Sequence, residues 1–269
     1  MTDAPLPPDN LIQDCPIRRF EDGAPKAMVD KVITEARIEL DLNDGKHSLA
    51  MLCLPHDLES LAVGFLIGEG ALRDRSELHD VRVNVENNKV FIHGDLDEDA
   101  LEAMASRWTW GTGCGSGGTG RDLDSPAFGR VGQGLTIGPN KLIELARTFT
   151  GKADMWKSTG GLHACALADT EKVLLFAEDV GRHNAFDKIM GRAFLDGIDV
   201  TDKMVLMTGR LSAEIVSKAV ACGLSMLVSR SAVTALGAKL AGRFGLTLVG
   251  FLRGKRLNVY TGFDRVVAD

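Results

Sequence analysis

The sequence predicts an α/β protein whose main sheet is mostly parallel and covered on both faces, preceded by a smaller β-rich α+β portion. In the second half of the chain, four short apolar runs alternate with stretches of helical periodicity, which is typical of βαβ crossovers. In the first half, apolar runs are separated by turn signals, which indicates hairpins. The predicted crossover strands are 173–177, 205–207, 226–228 and 246–251, and the helices lie near 182–195, 212–222 and 232–243.

The composition is that of an ordinary globular chain. Of its 269 residues, 45% are hydrophobic and 25% are charged, and the net charge is -6. We therefore expect no nucleic-acid footprint, no membrane span and no secretory signal. The five cysteines are odd in number and show no paired spacing, so free thiols in a reduced, cytoplasmic setting are predicted.

The N-terminal third is predicted to hold a tail and then a hairpin and helix portion. Residues 1–30 are expected to be a flexible tail, because the start of the chain is rich in proline and poor in apolar residues. From Ala36 to Leu42 apolar residues alternate with charged ones, which indicates a half-buried strand. The other elements predicted within residues 31–110 are a strand at 49–54, a helix capped by Asp57, a hairpin over 81–93 and a helix over 97–106.

A glycine-rich segment, predicted to be a mobile loop over residues 111–138, separates this portion from the core at 139–269. Nine of the residues from 111 to 134 are glycine, and neither helical nor strand periodicity is present. Cys114 lies in this segment. Glycine neighbours leave backbone N–H groups free to stabilise a thiolate, although a lone loop cysteine is more often incidental.

Three strand-to-helix junctions of the core carry polar residues in the same relative place. Their arginines are Arg182, Arg210 and Arg230, and free N–H groups with a positive dipole end begin each helix. Guanidinium groups at a shared sheet edge favour a pocket for a nucleotide or another phosphorylated ligand. For any single junction the simpler interpretation is a solvated arginine beside an ordinary N-cap such as Ser212.

The two core histidines and the cysteines do not indicate a metal site. His163 begins a strand and His183 lies in the first turn of a helix, where a satisfied structural histidine is the default interpretation. The sequence has no C-x-x-C and no H-E-x-x-H, so the usual zinc spacings are missing.

Five motifs of the chain are distinctive: EDVGRHNAFDK at 178–188, STGGLHACAL from Ser158, GRLSAEIVSKA from Gly209, GFLRGKRLNVYT from Gly250 and LAVGFLIGEG from Leu61. Together they resemble a known family, the formate dehydrogenase accessory sulfurtransferases (FdhD family). The resemblance extends over nearly the whole chain from about residue 30.

The resemblance implies a cytidine-deaminase-like core without the deaminase zinc, in a homodimer. It also implies that sulfur comes as a persulfide from a cysteine desulfurase and passes to a formate dehydrogenase cofactor. That cofactor is a bis(molybdopterin guanine dinucleotide) of molybdenum or tungsten, and binding of it or of a GDP-like guanine nucleotide is implied. Cys114 matches the first cysteine of the family's C-x-x-C, whereas Gly117 stands at the second, so a two-cysteine relay within the loop is unavailable.

The resemblance further points to the segment near the C-terminus as cofactor-binding, together with Arg182, His183, Arg210, Ser212 and Arg230. The residues of that segment are Phe251, Leu252, Arg253, Gly254, Lys255, Arg256 and Leu257. Two other functions stay open: a chaperone that inserts the cofactor without sulfur chemistry, and a nucleoside-type deaminase. The deaminase is disfavoured because Cys165 stands two residues after His163, where a zinc deaminase has glutamate.

Overall fold

The computed structural model describes residues 11–106, 109–110, 118–119, 131–132 and 134–268. In this part of the chain the helices are α1 (Leu58–Glu69), α2 (Glu98–Ser106), α3 (Pro139–Gly151), α4 (Asp154–Thr159), α5 (Arg182–Leu195), α6 (Ala213–Ala221) and α7 (Ala235–Phe244). The strands are β1 (Ile12–Glu21), β2 (Ala24–Ile33), β3 (Ala36–Leu42), β4 (His47–Cys53), β5 (Leu78–Asn84), β6 (Lys89–Gly94), β7 (Thr109–Trp110), β8 (Gly118–Thr119), β9 (His163–Ala168), β10 (Val173–Asp179), β11 (Met204–Met207), β12 (Met226–Ser229), β13 (Thr247–Arg253) and β14 (Arg256–Thr261).

The central sheet has six strands in the order β10-β9-β11-β12-β13-β14, and it is mixed rather than mostly parallel. Only β11–β12 and β12–β13 pair in parallel, whereas β10–β9, β9–β11 and β13–β14 are antiparallel. The prediction of a mostly parallel sheet is therefore wrong. Helices α6 and α7 connect the parallel strands. Short turns instead connect β9 to β10 and β13 to β14, and because a short turn reverses the chain direction, these pairs are antiparallel.

Both faces of this sheet are buried, as predicted. One face packs under α5, α6 and α7 through residues such as Leu167, Val205 and Leu227. The opposite face packs against α3, with Leu142 and Phe149 reaching Ala166 and Leu206. Because neighbouring residues of a strand point to opposite faces, strands covered on both sides appear as continuous apolar runs.

The N-terminal portion is a second sheet of four strands in the order β4-β3-β6-β5, with α1 and α2 packed on its core. The predicted hairpins and both helices are confirmed. Asp57 does stand at the predicted N-cap position, but its φ is 52° and its side chain makes no cap hydrogen bond. The Asp57 carboxylate instead lies 3.1 Å from Nδ1 of His56. Helix α1 ends at Gly70, whose φ of 78° suits glycine.

A two-stranded hairpin, β1–β2, occupies residues 12–33, where a flexible tail had been predicted. Its base is anchored by Leu11 and Ile33, which pack with Leu54 and Leu162. The rest of the hairpin is largely exposed, including Phe20 at 65%. The prediction failed because prolines and charges interrupt the alternation and little of the hairpin is buried. The other predicted domain boundaries stay predictions.

Helices α1 and α5 join the N-terminal portion to the core through a close crossing of glycines. A Cβ on Gly64 would overlap the carbonyl oxygen of Asp187, and a Cβ on Gly191 would lie 2.6 Å from the backbone nitrogen of Gly64. The two backbones can approach this closely only because neither residue has a side chain. None of the helices among the described residues is long and apolar enough to cross a membrane.

Candidate functional site

A cleft of about 530 Å³ lies at one edge of the central sheet, where β10, β11, β12 and β13 end and the antiparallel β9 begins. That volume lies in the range typical of small-molecule sites, about 300–1,000 Å³. Its lining residues are Trp156, Gly160, Gly161, Leu162, His163, Val180, Thr208, Arg230, Ser231 and Arg253. The strand ends therefore converge at one edge, as predicted, and form a cleft there although the sheet is mixed.

The cleft has an aromatic and apolar end and a cationic end. Trp156, Leu162 and Val180 lie on the side of β9 and β10, whereas Arg230 and Arg253 lie on the side of β12 and β13. Strand β11, which ends before Thr208, separates the two sides in the sheet order. Because neighbouring strands are about 4.8 Å apart and the two sides are two to four strands apart, the ends are separated by roughly 10–19 Å.

The cationic end is held by bonds between neighbouring strand ends. Nε of Arg253 donates to the carbonyl oxygen of Arg230 at 2.7 Å. The backbone N–H of Phe251 donates to the carbonyl oxygen of Ser231 at 2.9 Å. Phe251 has a φ of 51°, and its ring lies 5.6 Å from the Arg253 guanidinium. The Ser229 hydroxyl donates to the Gly209 carbonyl at 2.5 Å and so links β12 to the neighbouring junction. These bonds fix the backbone from which both arginines project.

The aromatic end is supported by the EDVGRHNAFDK segment. The Glu178 carboxylate accepts the backbone N–H of Trp156 at 2.9 Å, which holds α4 against β10. Burial raises the pKa of Glu178, although the N–H groups it accepts oppose that shift. Oδ1 of Asp179 accepts the backbone N–H of Gly181 at 2.9 Å and thereby shapes the turn that places Val180 in the cleft. The segment thus forms part of the wall and supports the rest of it from behind.

His163, at the aromatic end, contacts Thr208, which lies between the two ends. Nδ1 of His163 is 3.2 Å from Oγ1 of Thr208, and that oxygen accepts the backbone N–H of Ala164 at 3.1 Å. Burial lowers the pKa of His163; the charge of Arg182 lowers it further and that of Asp179 partly offsets this. The imidazole is therefore neutral near pH 7.

Three predicted site residues gather beneath the cleft around Glu214. Oε2 of Glu214 lies 3.5 Å from both Nη2 of Arg182 and Nε2 of His183, and the Ser212 hydroxyl donates to it at 2.8 Å. Arg182 and His183 are 6% and 9% exposed, and burial lowers the pKa of His183 although Glu214 opposes that shift. Since none of the three lines the cleft, their assignment as ligand contacts stays a prediction.

The other predicted binding residues divide in a similar way. Arg230 and Arg253 line the cleft, whereas Arg210 is exposed outside it. In the β13–β14 hairpin, Leu252 is buried, Gly254 has a φ of 61° at the turn, and Phe251 and Leu257 are half-buried. Lys255 and Arg256 are exposed and do not line the cleft. Of the predicted segment 251–257, Arg253 alone lines the cleft.

Sequence reasoning missed Trp156 and Thr208 and left His163 as a structural histidine. Trp156 lies on α4, a helix of one and a half turns that is too short to show periodicity. The available signal was the Thr159-Gly160-Gly161 turn, since the φ of 68° at Gly160 ends that helix beside the strand that begins at His163.

Comparison with known proteins identifies the family. The model of the FdhD/NarQ family matches residues 33–267. The chain belongs to the FdhD/NarQ family. A sulfur carrier protein FdhD of Bacillus subtilis is 34% identical over 253 residues, which cover 92% of this chain and 95% of that protein. The sulfur carrier protein FdhD of Wolinella succinogenes is 36% identical over 237 residues, which cover 88% of this chain and 82% of the relative.

A solved structure has the same fold. The protein from Desulfotalea psychrophila, described as a formate dehydrogenase accessory protein, superimposes with a TM-score of 0.78 at 25% identity. The match covers 96% of this chain and all of that one. The FdhD/NarQ assignment and the mixed α/β fold are thus confirmed, while the likeness of the core to cytidine deaminases stays a prediction.

The thiols of this FdhD/NarQ member differ in reactivity. Cys53 and Cys165 are completely buried; burial raises the pKa of Cys53 to about 12 and that of Cys165 well above its usual value. Neither forms a thiolate near pH 7, so neither is a nucleophile. Cys15 and Cys222 are half-buried. Cys114, the predicted carrier, and Gly117 lie outside the described residues, so the role of Cys114 stays a prediction.

Proposed function

We propose that this protein is a homodimeric cytoplasmic sulfur carrier that accepts sulfur as a persulfide on Cys114 from a cysteine desulfurase. The sulfur passes to the molybdenum or tungsten bis(molybdopterin guanine dinucleotide) cofactor needed by formate dehydrogenase. Membership in a family with sulfur carrier proteins supports the carrier role. The observation that carries the proposal for the ligand is the cleft with one aromatic and one cationic end.

The cleft suits one guanine nucleotide end of that cofactor. A purine can stack on Trp156, which is 37% exposed, since aromatic faces and bases stack favourably. The Arg230 and Arg253 side chains then lie where the diphosphate would extend, and arginine is suited to phosphate oxygens. The hydroxyls of Thr208 and Ser231 supply further polar contacts between these ends.

The sulfur step is an exchange between thiols that conserves electrons. The Cys114 thiolate attacks the terminal sulfur of the desulfurase persulfide, the S–S bond there breaks, and the desulfurase cysteine leaves as its thiolate. Release of the carried sulfur as sulfide restores the Cys114 thiol and consumes two electrons, which a small thiol or the reduced metal supplies. With Gly117 in place of a second cysteine, that reductant comes from outside the loop.

Replacing Cys114 by alanine is expected to abolish acceptance of sulfur. Wild-type protein incubated with a cysteine desulfurase and cysteine should gain one sulfur atom on Cys114, detected by mass spectrometry of intact protein and peptides. Cys15→Ala is the matched control, because Cys15 is a half-buried free thiol and should leave the added sulfur in place. A Cys114→Ala protein that fully restores formate dehydrogenase in cells would instead support the inserting chaperone.

Arg253→Ala is expected to weaken GDP binding by about 10–100-fold, because a hydrogen bond to a charged group contributes about 1.5–3 kcal/mol. Arg256→Ala removes a guanidinium from the same hairpin but from outside the cleft, so it should change GDP affinity by less than about 2-fold. Isothermal titration of GDP into both variants separates a role of Arg253 in the cleft from a general effect of the basic hairpin. Equal losses in the two variants would contradict the proposed phosphate position.

A further inference from the structure

The orientation of a nucleotide in the cleft brings its base to His163. Phosphates belong with Arg230 and Arg253 at the ends of β12 and β13, so the base belongs at the β9 side, with Trp156. His163 is the first residue of β9 and lines the cleft at that end. We propose that His163, oriented by Thr208, selects purines with an oxygen at C6 over purines with an amino group there. This rests on the nucleotide binding proposed above.

The contacts of Thr208 determine which imidazole nitrogen carries the proton. Oγ1 of Thr208 already accepts the backbone N–H of Ala164 at 3.1 Å. Among the described residues, the one acceptor bonded to its hydroxyl proton is Nδ1 of His163, at 3.2 Å. The reverse direction, with Nδ1–H donating to Thr208, would leave both the hydroxyl proton and Nε2 without a partner among the described residues. We therefore assign the Thr208 proton to Nδ1, which is then unprotonated. The proton of the neutral ring is then on Nε2.

Nε2 of His163 has no hydrogen-bond partner in the described part of the chain. The ring is half-buried on the wall of the cleft, so water can satisfy Nε2–H when the cleft is empty. A bound ligand that displaces this water has to supply the acceptor in its place. The inferred site is therefore a single donor at the base end of the cleft.

Neutrality makes this donor selective. Burial and the nearby Arg182 keep the ring uncharged near pH 7, so Nε2–H donates while the other nitrogen is occupied by Thr208. The C6 oxygen of guanine or hypoxanthine accepts such a bond. The C6 amino group of adenine is itself a donor and would leave two N–H groups facing each other without an acceptor.

The experiment compares GDP, IDP and ADP in titrations with wild-type, His163→Ala, His163→Gln and Thr208→Val proteins. Wild type should bind GDP and IDP at least about 10-fold more tightly than ADP, as one lost hydrogen bond implies. His163→Ala should lose most of that ratio while its ADP affinity changes less than about 3-fold. His163→Gln keeps a donor and should retain part of the preference for GDP over ADP. Thr208→Val should show a preference between those of His163→Gln and wild type.

The outcomes distinguish failure of the His163 inference from failure of the proposed nucleotide binding. Wild type that binds GDP and ADP equally, or a His163→Ala protein that loses both equally, would overturn the selective role and leave nucleotide binding intact. Wild type that binds none of the three would overturn nucleotide binding as well. Imidazole ¹⁵N shifts of wild-type protein give a second measurement without any variant. We expect the His163 tautomer with the proton on Nε2 and none on Nδ1. The opposite tautomer would overturn the inference.

Discussion

Gly191→Ala is expected to lower the free energy of unfolding by about 3 kcal/mol or more, or to prevent folding. Overpacking typically costs about 1–3 kcal/mol, and this contact with backbone lies at the upper end. The added methyl group would meet backbone atoms of α1, at the Ser60 carbonyl and the Gly64 nitrogen, and backbone cannot rotate away. Helix α1 would have to move off α5. Thermal and urea unfolding of the purified variant measure the loss, and soluble yield reports a variant that does not fold.

The matched control is Gly151→Ala. Gly151 is also a helical glycine, at the end of α3, but its added methyl group would meet nothing within 4 Å. That variant should be neutral or slightly more stable, because alanine is the better helix former. Gly64→Ala should be as harmful as Gly191→Ala, and the double variant should lose much less than the sum of the two. A Gly191→Ala protein as stable as Gly151→Ala would contradict the close crossing.

The elements that the sequence predicts correctly are those with a clear pattern of apolar residues. Helices α5, α6 and α7 and strands β11 to β13 have long apolar runs or stripes, because burial on both faces requires them. Strand direction does not appear in such runs. The short turn from Asp169 to Lys172 did carry the signal for antiparallel β9 and β10, since no helix fits there. Strands β1 and β2 were missed because they bury little.

The candidate site was predictable as a location but less so as a set of side chains. Polar residues at the junctions identify the sheet edge, yet they do not show which ones face outward. Arg182 and His183 belong to the same helix start, but Glu214 from α6 draws both beneath the cleft. In the described part of the chain Arg230 and Arg253 pair with no buried carboxylate, and both line the cleft. The position of Glu214 follows from helix packing, which a single sequence does not specify.

The same limit applies to Asp187, which lies in the EDVGRHNAFDK segment at the start of α5. Asp187, Lys218 and Glu69 form a buried cluster that joins α5, α6 and α1, with Lys218 Nζ 2.7 Å from Asp187 Oδ2 and 3.6 Å from Glu69 Oε1. Burial raises the pKa of Asp187 to about 6, against the opposing effect of Lys218. Burial alone would lower the pKa of Lys218, but the attraction of both carboxylates raises it. Asp187 therefore has a structural role in this segment, since its ion pair connects α5 to α6 and α1.

Lys188→Met is expected to destabilise the protein by about 3–5 kcal/mol, because it leaves a fully buried carboxylate without its cation. Lys188 and Asp179 are 1% and 0% exposed, and Nζ lies 2.7 Å from Oδ2. Nζ also donates to the Leu54 carbonyl at 3.1 Å, while the Leu54 N–H donates to Asp179 at 3.1 Å. The pair thus fastens the end of β4 to the end of β10. Urea unfolding measures the loss.

Two further variants test whether the unpaired charge is the cause. Lys141→Met removes a half-buried lysine that pairs with the exposed carboxylates of Glu144 and Glu171, and it should cost less than about 0.5 kcal/mol. Adding Asp179→Asn to Lys188→Met removes the unpaired charge and should restore part of the stability. Because Asp179 also holds the turn that places Val180 in the cleft, Lys188→Met should weaken GDP binding as well. A Lys188→Met protein as stable as Lys141→Met would show that the buried pair does not join the two portions.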